Sequence, residues 1–121
     1  MLQTESMVVV ADNTWATTAK IIRVLKGSQN NAATVGDKVV VAIKTARPGG
    51  QIEKGSVSWA VVVRVRKEIA RKDGTYIRFE DNAVALINKS EDPIGKRIFW
   101  PVAKEVRVRY KKLANMAEEI I

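Results

Sequence analysis

Residues 60–87 read AVVVRVRKEIARKDGTYIRFEDNAVALI, and the succession of residue types there decides the architecture. Ala60–Val63 is an uninterrupted apolar run of the kind a buried strand needs. From Arg64 the pattern becomes Arg-Val-Arg, charge alternating with apolar group, which turns one face of the strand towards solvent. Arg64–Lys72 holds five cations (Arg64, Arg66, Lys67, Arg71, Lys72) against one anion, Glu68. Asp73-Gly74 is a turn signal, because Gly tolerates positive φ and Asp bonds its own backbone. The chain returns as a strand over Thr75–Phe79 with a cation at Arg78, and Ala83–Ile87 follows as a third strand. Two strands that are apolar on one side and basic on the other suit a body resting on phosphate.

Working outward, 121 residues with 46% hydrophobic and 28% charged content describe one folded domain with a modest core. The net charge of +8 points to a polyanion, either nucleic acid or an anionic membrane surface. There is no Cys, so disulfides, zinc–thiolate sites and thiol nucleophiles are excluded. There is no His, which removes the Ser-His-Asp triad and the commonest general base. An enzyme is not expected, and neither is a cofactor or metal. No apolar run reaches the roughly 18 residues of a membrane-spanning helix, and the opening MLQTESMVVVADN lacks the basic start of a secretory signal. The expected location is cytoplasmic or organellar, with no membrane partner.

Further short strands are expected at Ser6–Ala11, Lys20–Lys26, Lys38–Ile43 and Ser56–Arg66, and the strand after the basic turn extends to Glu80. Gly27–Ala33 reads as a polar loop, and Pro48-Gly49-Gly50 as a loop or the tip of a β-ribbon. The series argues for an all-β barrel or sandwich over about 1–95. Beyond it, 96–121 reads as a basic helical part of the same single domain. A helix can begin at Pro101, and Val102, Val106 and Tyr110 then share one face. Leu113, Met116 and Ile120 suggest a further turn docking on the body or on a partner.

For nucleic acid, the candidates are Arg64, Arg66, Lys67, Arg71, Lys72 and Arg78, with Lys44, Arg47 and Lys54 around the Pro-Gly-Gly loop. A second basic zone comprises Lys96, Arg97, Lys104, Arg107, Arg109, Lys111 and Lys112. Tyr110 within it either stacks on a base or belongs to the packing face. Surface cations also protect edge strands from aggregation, so clustering is what favours binding. The glycine loops match neither GxxxxGK[ST] nor GxGxxG. Asp12, Asp37, Glu80 and Asp81 could together hold magnesium for a nuclease, but turn contexts explain three of them. Trp59 is expected in the core or at a barrel rim; Trp15 and Trp100 stand next to turns, where a Trp can anchor a partner.

The order MLQTESMVVVADN, IIRVLKGS, VGDKVVVAIK, KGSVSWAVVVRVRKEIARKDGTYIRFEDNAVALIN and DPIGKRIFWPVAKEVR resembles the L-fourteen family of large-ribosomal-subunit proteins, in its bacterial or organellar form. The family signature falls on Ala60–Val63, Asp73-Gly74, Phe79, Asn82 and Leu86. The resemblance implies a five-stranded closed β-barrel with a projecting β-ribbon and a small C-terminal helical part. It implies binding to large-subunit rRNA, a neighbouring protein of the L-nineteen family, and intersubunit bridges to small-subunit rRNA. It also implies docking of a ribosome-silencing factor at Lys96, Arg97 and Lys112, where the family more often has Thr at the first position. The basic C-terminal face, including Arg107 and Arg109, is then available to the small subunit and to factors.

Departures from the family are informative. Where it commonly has ADNSGA and IFGPV, this chain has ADNTWA and IFWPV, so Trp15 and Trp100 replace Gly. These rings are expected to fill space near one another or against a protein or RNA neighbour. The loop GSQNNAA lacks a usual Arg pair, Ala85 replaces Val, and MAEEII replaces LAPEVL. The alternative to a ribosomal constituent is a free-standing OB-like translation factor or RNA chaperone. Only Tyr76 and Phe79 offer the stacking sheet such a module needs.

Overall fold

A computed structural model describes residues 2–25, 32–50 and 52–121. The chain order is β1 (Met7–Val10), β2 (Ala16–Val24), β3 (Lys38–Ala46), β4 (Val57–Arg64), β5 (Ile69–Ala70), β6 (Tyr76–Ile77), β7 (Ala83–Ile87), α1 (Glu105–Arg109) and α2 (Lys111–Asn115). The order β1-β2-β3-β4-β7 closes into a barrel, and β5-β6 form a separate hairpin. The fold is thus mostly β: the five-stranded barrel and helical tail that the resemblance implies, with an extra hairpin.

Burial sorts the strands into two kinds. In β1 and β3 buried and more exposed positions alternate, as in a strand with one face to the core. The last five residues of β4 and all five of β7 are buried. Their inward side chains, Ala60, Val62, Val84 and Leu86, join Val8, Ile21, Val41 and Ile43 in the barrel interior. Their outward side chains, Val61, Val63, Ala83, Ala85 and Ile87, form a second cluster with Val102, Val106, Tyr110, Leu113 and Ala114. The C-terminal segment is therefore docked over the outside of the β4–β7 pair. Trp59 sits half-buried at the margin of that cluster, with the Lys38 ammonium 4.6 Å from its ring centroid.

Several expected boundaries change. β2 starts at Ala16 rather than Lys20, and β3 runs on to Ala46 rather than Ile43, because the two extensions pair with each other. The polar Thr17 and Thr18 on the outer face hid this. The expected strand end at Lys26, and the polar loop as far as residue 31, lie outside the described residues. The strand expected over Thr75–Glu80 shrinks to Tyr76–Ile77 and pairs with Ile69–Ala70. It cannot join β4, whose two edges are taken by β3 and β7. The helix expected from Pro101 starts at Glu105. Val102 is instead held extended, donating its N–H to Glu119 O and accepting from Ile121 N–H. The helix breaks at Tyr110 (φ −126°, ψ 65°), so two single turns replace one continuous face. Gly36 lets α1 approach: it has φ +85°, and a Cβ there would stand 3.2 Å from the Glu105 carbonyl oxygen.

The barrel closes where β1 runs parallel to β7, with Val9 opposite Ala83 and Val10 opposite Val84. Ala11 N–H continues the ladder to Val84 O at 2.8 Å. One step on, a side chain takes over: the buried Asp12 carboxylate accepts Leu86 N–H at 2.8 Å. Its other oxygen accepts the Thr14 hydroxyl at 2.6 Å and the Thr14 N–H at 3.3 Å. Burial raises the Asp12 carboxyl above its ordinary 3.8, although these hydrogen bonds pull the other way. With the folded value raised, Asp12 contributes stability that is full below 3.8 and is lost as the pH rises through the folded value. Asp12→Ala orphans the Leu86 N–H at the seam and should cost about 1–3 kcal/mol. Urea midpoints across a pH series should show the advantage of the wild type over Asp12→Ala growing on acidification. An advantage that shrinks would mean the carboxyl is not raised by burial.

Candidate nucleic-acid interface

The basic segment after β4 divides into cations used inside the chain and cations left for a partner. Arg64, expected from the sequence among the RNA contacts, has its side chain in the first group. Flanked by the buried Val63 and Val65, it is only 3% exposed. Its Nε and Nη2 donate to the two Asp81 oxygens at 2.7 and 3.3 Å. Its Nη1 donates to Phe99 O at 2.7 Å and Pro101 O at 3.1 Å. One guanidinium thus ties the end of β4, the turn before β7 and the start of the tail. Arg71 is also turned inward, donating through Nη2 to Glu105 Oε1 at 2.9 Å and to Ile121 O at 2.8 Å. It fastens the hairpin to the tail, with little left for a polyanion.

Arg66, Lys67, Lys72 and Arg78 are exposed, and their side chains have no ion pair or hydrogen bond among the described residues. They stand on an ordered frame. Arg66 N–H donates to Asn82 Oδ1 at 2.8 Å, and Phe79 N–H to Val65 O at 3.0 Å. At the tip, Asp73 accepts the Thr75 hydroxyl at 2.6 Å and the Thr75 N–H at 3.1 Å. These bonds hold the Asp73 carboxyl below its ordinary value. Lys44, Arg47 and Lys54 around the Pro-Gly-Gly loop are likewise exposed and without a partner among the described residues.

The second basic zone splits in two. Asn13 Oδ1 accepts the Lys96 and Arg97 N–H groups at 2.8 and 3.2 Å, fixing a short cationic strip. Arg97 lies 5.3 Å from the Phe99 ring centroid and 4.0 Å from Glu118. Lys112 reaches Asp92 at 3.5 Å, which ties α2 to the loop carrying Lys96. Arg107 falls elsewhere: with Arg71, Lys72 and Lys104 it lines a groove of about 790 Å³ between hairpin and tail. Arg109 is exposed on α1. Tyr110 is buried in the outer cluster, which raises its phenol, so the packing alternative holds and stacking does not.

The two tryptophans share a backbone anomaly. Trp15 has φ +72° and Trp100 φ +69°, the left-handed region that favours glycine. Trp15 is 49% exposed and lies against the Pro-Gly-Gly loop, where a Cβ on Gly50 would come within 2.7 Å of the Trp15 Cβ. Trp100 is 70% exposed and lines a different groove. Trp15, Val9 and Phe99 border one cleft, and with Met7 on the same face of β1 they form an exposed apolar strip. The carboxylates considered for a metal do not converge. Asp12 serves the seam, Asp81 holds Arg64, Asp37 accepts Thr34 N–H and Glu80 is exposed. No trio of metal-ligating side chains assembles among the described residues, and no helix there is long and apolar enough to cross a membrane.

The residues that sequence reasoning missed are structural and cationic. In sequence Asp81 reads only as a possible metal ligand, yet it is the counter-ion of Arg64. The exposed Arg23 on β2 is masked in the sequence by the apolar residues around it.

Similarity to known proteins assigns this closed barrel, with its cationic hairpin and docked tail, to the structural proteins of the large ribosomal subunit. Residues 1–121 match throughout the family described as Ribosomal protein L14p/L23e, and the chain belongs to it. It is 50% identical over 121 residues to "Large ribosomal subunit protein uL14" of Petrotoga mobilis (strain DSM 10674 / SJ95), covering 99% of each chain.

The internal role of Arg64 has a direct consequence. Arg64→Ala should cost roughly 2–4 kcal/mol in urea unfolding, somewhat below a fully enclosed pair because Asp81 reaches solvent. Arg64→Lys should recover only part of this, since one ammonium cannot reproduce the fork to Asp81 and both carbonyls. A loss within about 0.5 kcal/mol, the usual effect at a surface site, would place the side chain outside the framework.

Proposed function

We propose that this chain binds large-subunit rRNA and contributes to the contact between the subunits. The observation that carries the reading is the division of the cations. Arg64 and Arg71 are held internally, whereas Arg66, Lys67, Lys72 and Arg78 have no partner among the described residues and stand on the framework those two secure. Lys44, Arg47 and Lys54 form a second contact around the Pro-Gly-Gly loop. Phosphate contacts of this kind position rRNA segments and release counterions without reading sequence. Membership of the ribosomal L14 family supports rRNA as the polyanion.

The strip of Lys96, Arg97 and Lys112, together with the exposed Arg109 on α1, is the face we assign to small-subunit rRNA and to a ribosome-silencing factor. Arg107 lines the groove beside the hairpin, which supports grouping it with the hairpin contact instead. The apolar strip of Met7, Val9, Trp15 and Phe99 suits a neighbouring ribosomal protein, for which the L-nineteen family is our candidate.

In salt titrations with a fragment of large-subunit rRNA, Arg66→Ala/Lys67→Ala/Arg78→Ala should weaken binding and flatten the logarithmic slope by roughly 0.7–0.9 per lost phosphate contact. An unchanged slope would assign those cations to another face. Lys96→Glu/Arg97→Glu/Lys112→Glu should leave the chain in salt-washed large subunits while weakening their joining to small subunits in gradient sedimentation. Unaltered joining would remove this strip from the subunit contact.

A further inference from the structure

We propose that Trp100 is a stacking platform for an RNA base displaced from its own helix, with Arg66 and Arg78 holding the adjoining phosphates. The proposal deepens the rRNA-binding reading and rests on it.

Backbone conformation comes first. A side chain with a Cβ in the left-handed region is strained, and such outliers persist where the surroundings impose them. The surroundings here are specific. Arg64 Nη1 bonds the carbonyls on both sides of Trp100, Phe99 O at 2.7 Å and Pro101 O at 3.1 Å. Pro101 fixes its own φ directly after. The indole is thus presented on an immobilised backbone, which lowers the ordering cost of engaging it.

Exposure is the second observation. Trp15 carries the same strain but rests on Gly49 and Gly50. Trp100 leaves 70% of its surface in solvent. It lines a groove of about 610 Å³ with Arg64, Arg78, Phe79, Glu80, Asp81 and Pro101, within the range of small-ligand clefts, roughly 300–1,000 Å³, and the Asp81 carboxylate there is already paired with Arg64.

Charge chooses the occupant. Arg78, Phe79 and Glu80 also line an adjoining groove of about 480 Å³, whose remaining wall is Arg66. The two arginines have no internal partner among the described residues. A flat apolar ring beside unpaired guanidinium groups is the pairing that single-stranded nucleic acid recognises, base on ring and phosphate on cation. Glu80, also without a partner, repels phosphate at the shared wall and can accept from an exocyclic amino group of a base. Apolar contact with a protein is better served by the strip at Met7, Val9 and Phe99, where unpaired cations are fewer.

The test uses the full chain and two probes: a single-stranded RNA of about ten nucleotides and the same backbone made abasic. Anisotropy titrations compare wild type with Trp100→Gly and Trp100→Phe. Glycine relieves the left-handed strain, so Trp100→Gly remains folded and should melt above Trp100→Ala, which retains it. On base-bearing RNA, Trp100→Gly should bind roughly 5- to 100-fold more weakly than wild type, and Trp100→Phe should restore most of the loss. On abasic RNA the three proteins should bind alike. Equal affinity of Trp100→Gly and wild type for base-bearing RNA overturns the stacking role and leaves rRNA binding intact. An equal loss on both probes also overturns it, because the ring would then act on the backbone. Normal binding of both probes by Trp100→Gly, with poor incorporation into large subunits, overturns it in favour of a protein neighbour. If the wild type binds neither probe, the rRNA-binding reading falls as well.

Discussion

The ion pair between Arg64 and Asp81 is the constraint on which the functional half of the molecule depends. β4 leaves the barrel at Arg64, and the chain returns to it as β7 just after Asp81. The pair therefore closes the neck of the excursion that carries the hairpin and its exposed cations. The same guanidinium bonds Phe99 O and Pro101 O, so the tail begins from the same point. Burying a charge is costly, and a buried pair is weak support for net stability. Its effect here is geometric. Arg satisfies four acceptor positions in one plane, which an ammonium cannot. Arg71, bonded to Glu105 and Ile121, repeats the principle at the far side of the hairpin.

A second dependence joins the barrel to the tail. A strand inside a closed barrel needs only one apolar face. β4 and β7 have two, and the outer one would be an exposed patch were it not covered by Val102, Val106, Tyr110 and Leu113. The tail is thus part of the packed body. Its two helical turns are too short to persist alone, and burial of one face holds them.

The sequence made legible whatever depends on local pattern. The apolar runs AVVV and AVALI announce strands, β-branched propensity announces β1 and β3, and Asp73-Gly74 announces its turn. Features fixed by distant partners were harder to see. The first half of β2 exists because the end of β3 pairs with it, and β6 is short because β4 has no free edge. The same limit governed the site. Arg64 and Arg66 look equivalent in Arg-Val-Arg, yet one meets Asp81 and two carbonyls while the other meets solvent. The cationic cluster was readable; the assignment of each cation to framework or surface needed the fold. Tyr110 shows the converse, because either of its two readings fitted the pattern and burial selected one.

The two tryptophans show how one kind of substitution can have different consequences. Both stand at left-handed positions, where a residue with a Cβ bears a cost of roughly 1–2 kcal/mol, a sizeable fraction of a stability of about 5–15 kcal/mol. At Trp15 the chain itself supplies a compensation, because the ring covers Gly49 and Gly50 and removes apolar surface from water. At Trp100 the internal contacts are to the backbone: Arg64 holds the flanking carbonyls, and the ring remains largely in solvent. Arg64 thus imposes the strain without relieving it. A ring fixed in that way gains most from a flat partner arriving from outside, and Arg78 in the same groove, with Arg66 in the adjoining one, suits a partner that carries phosphate.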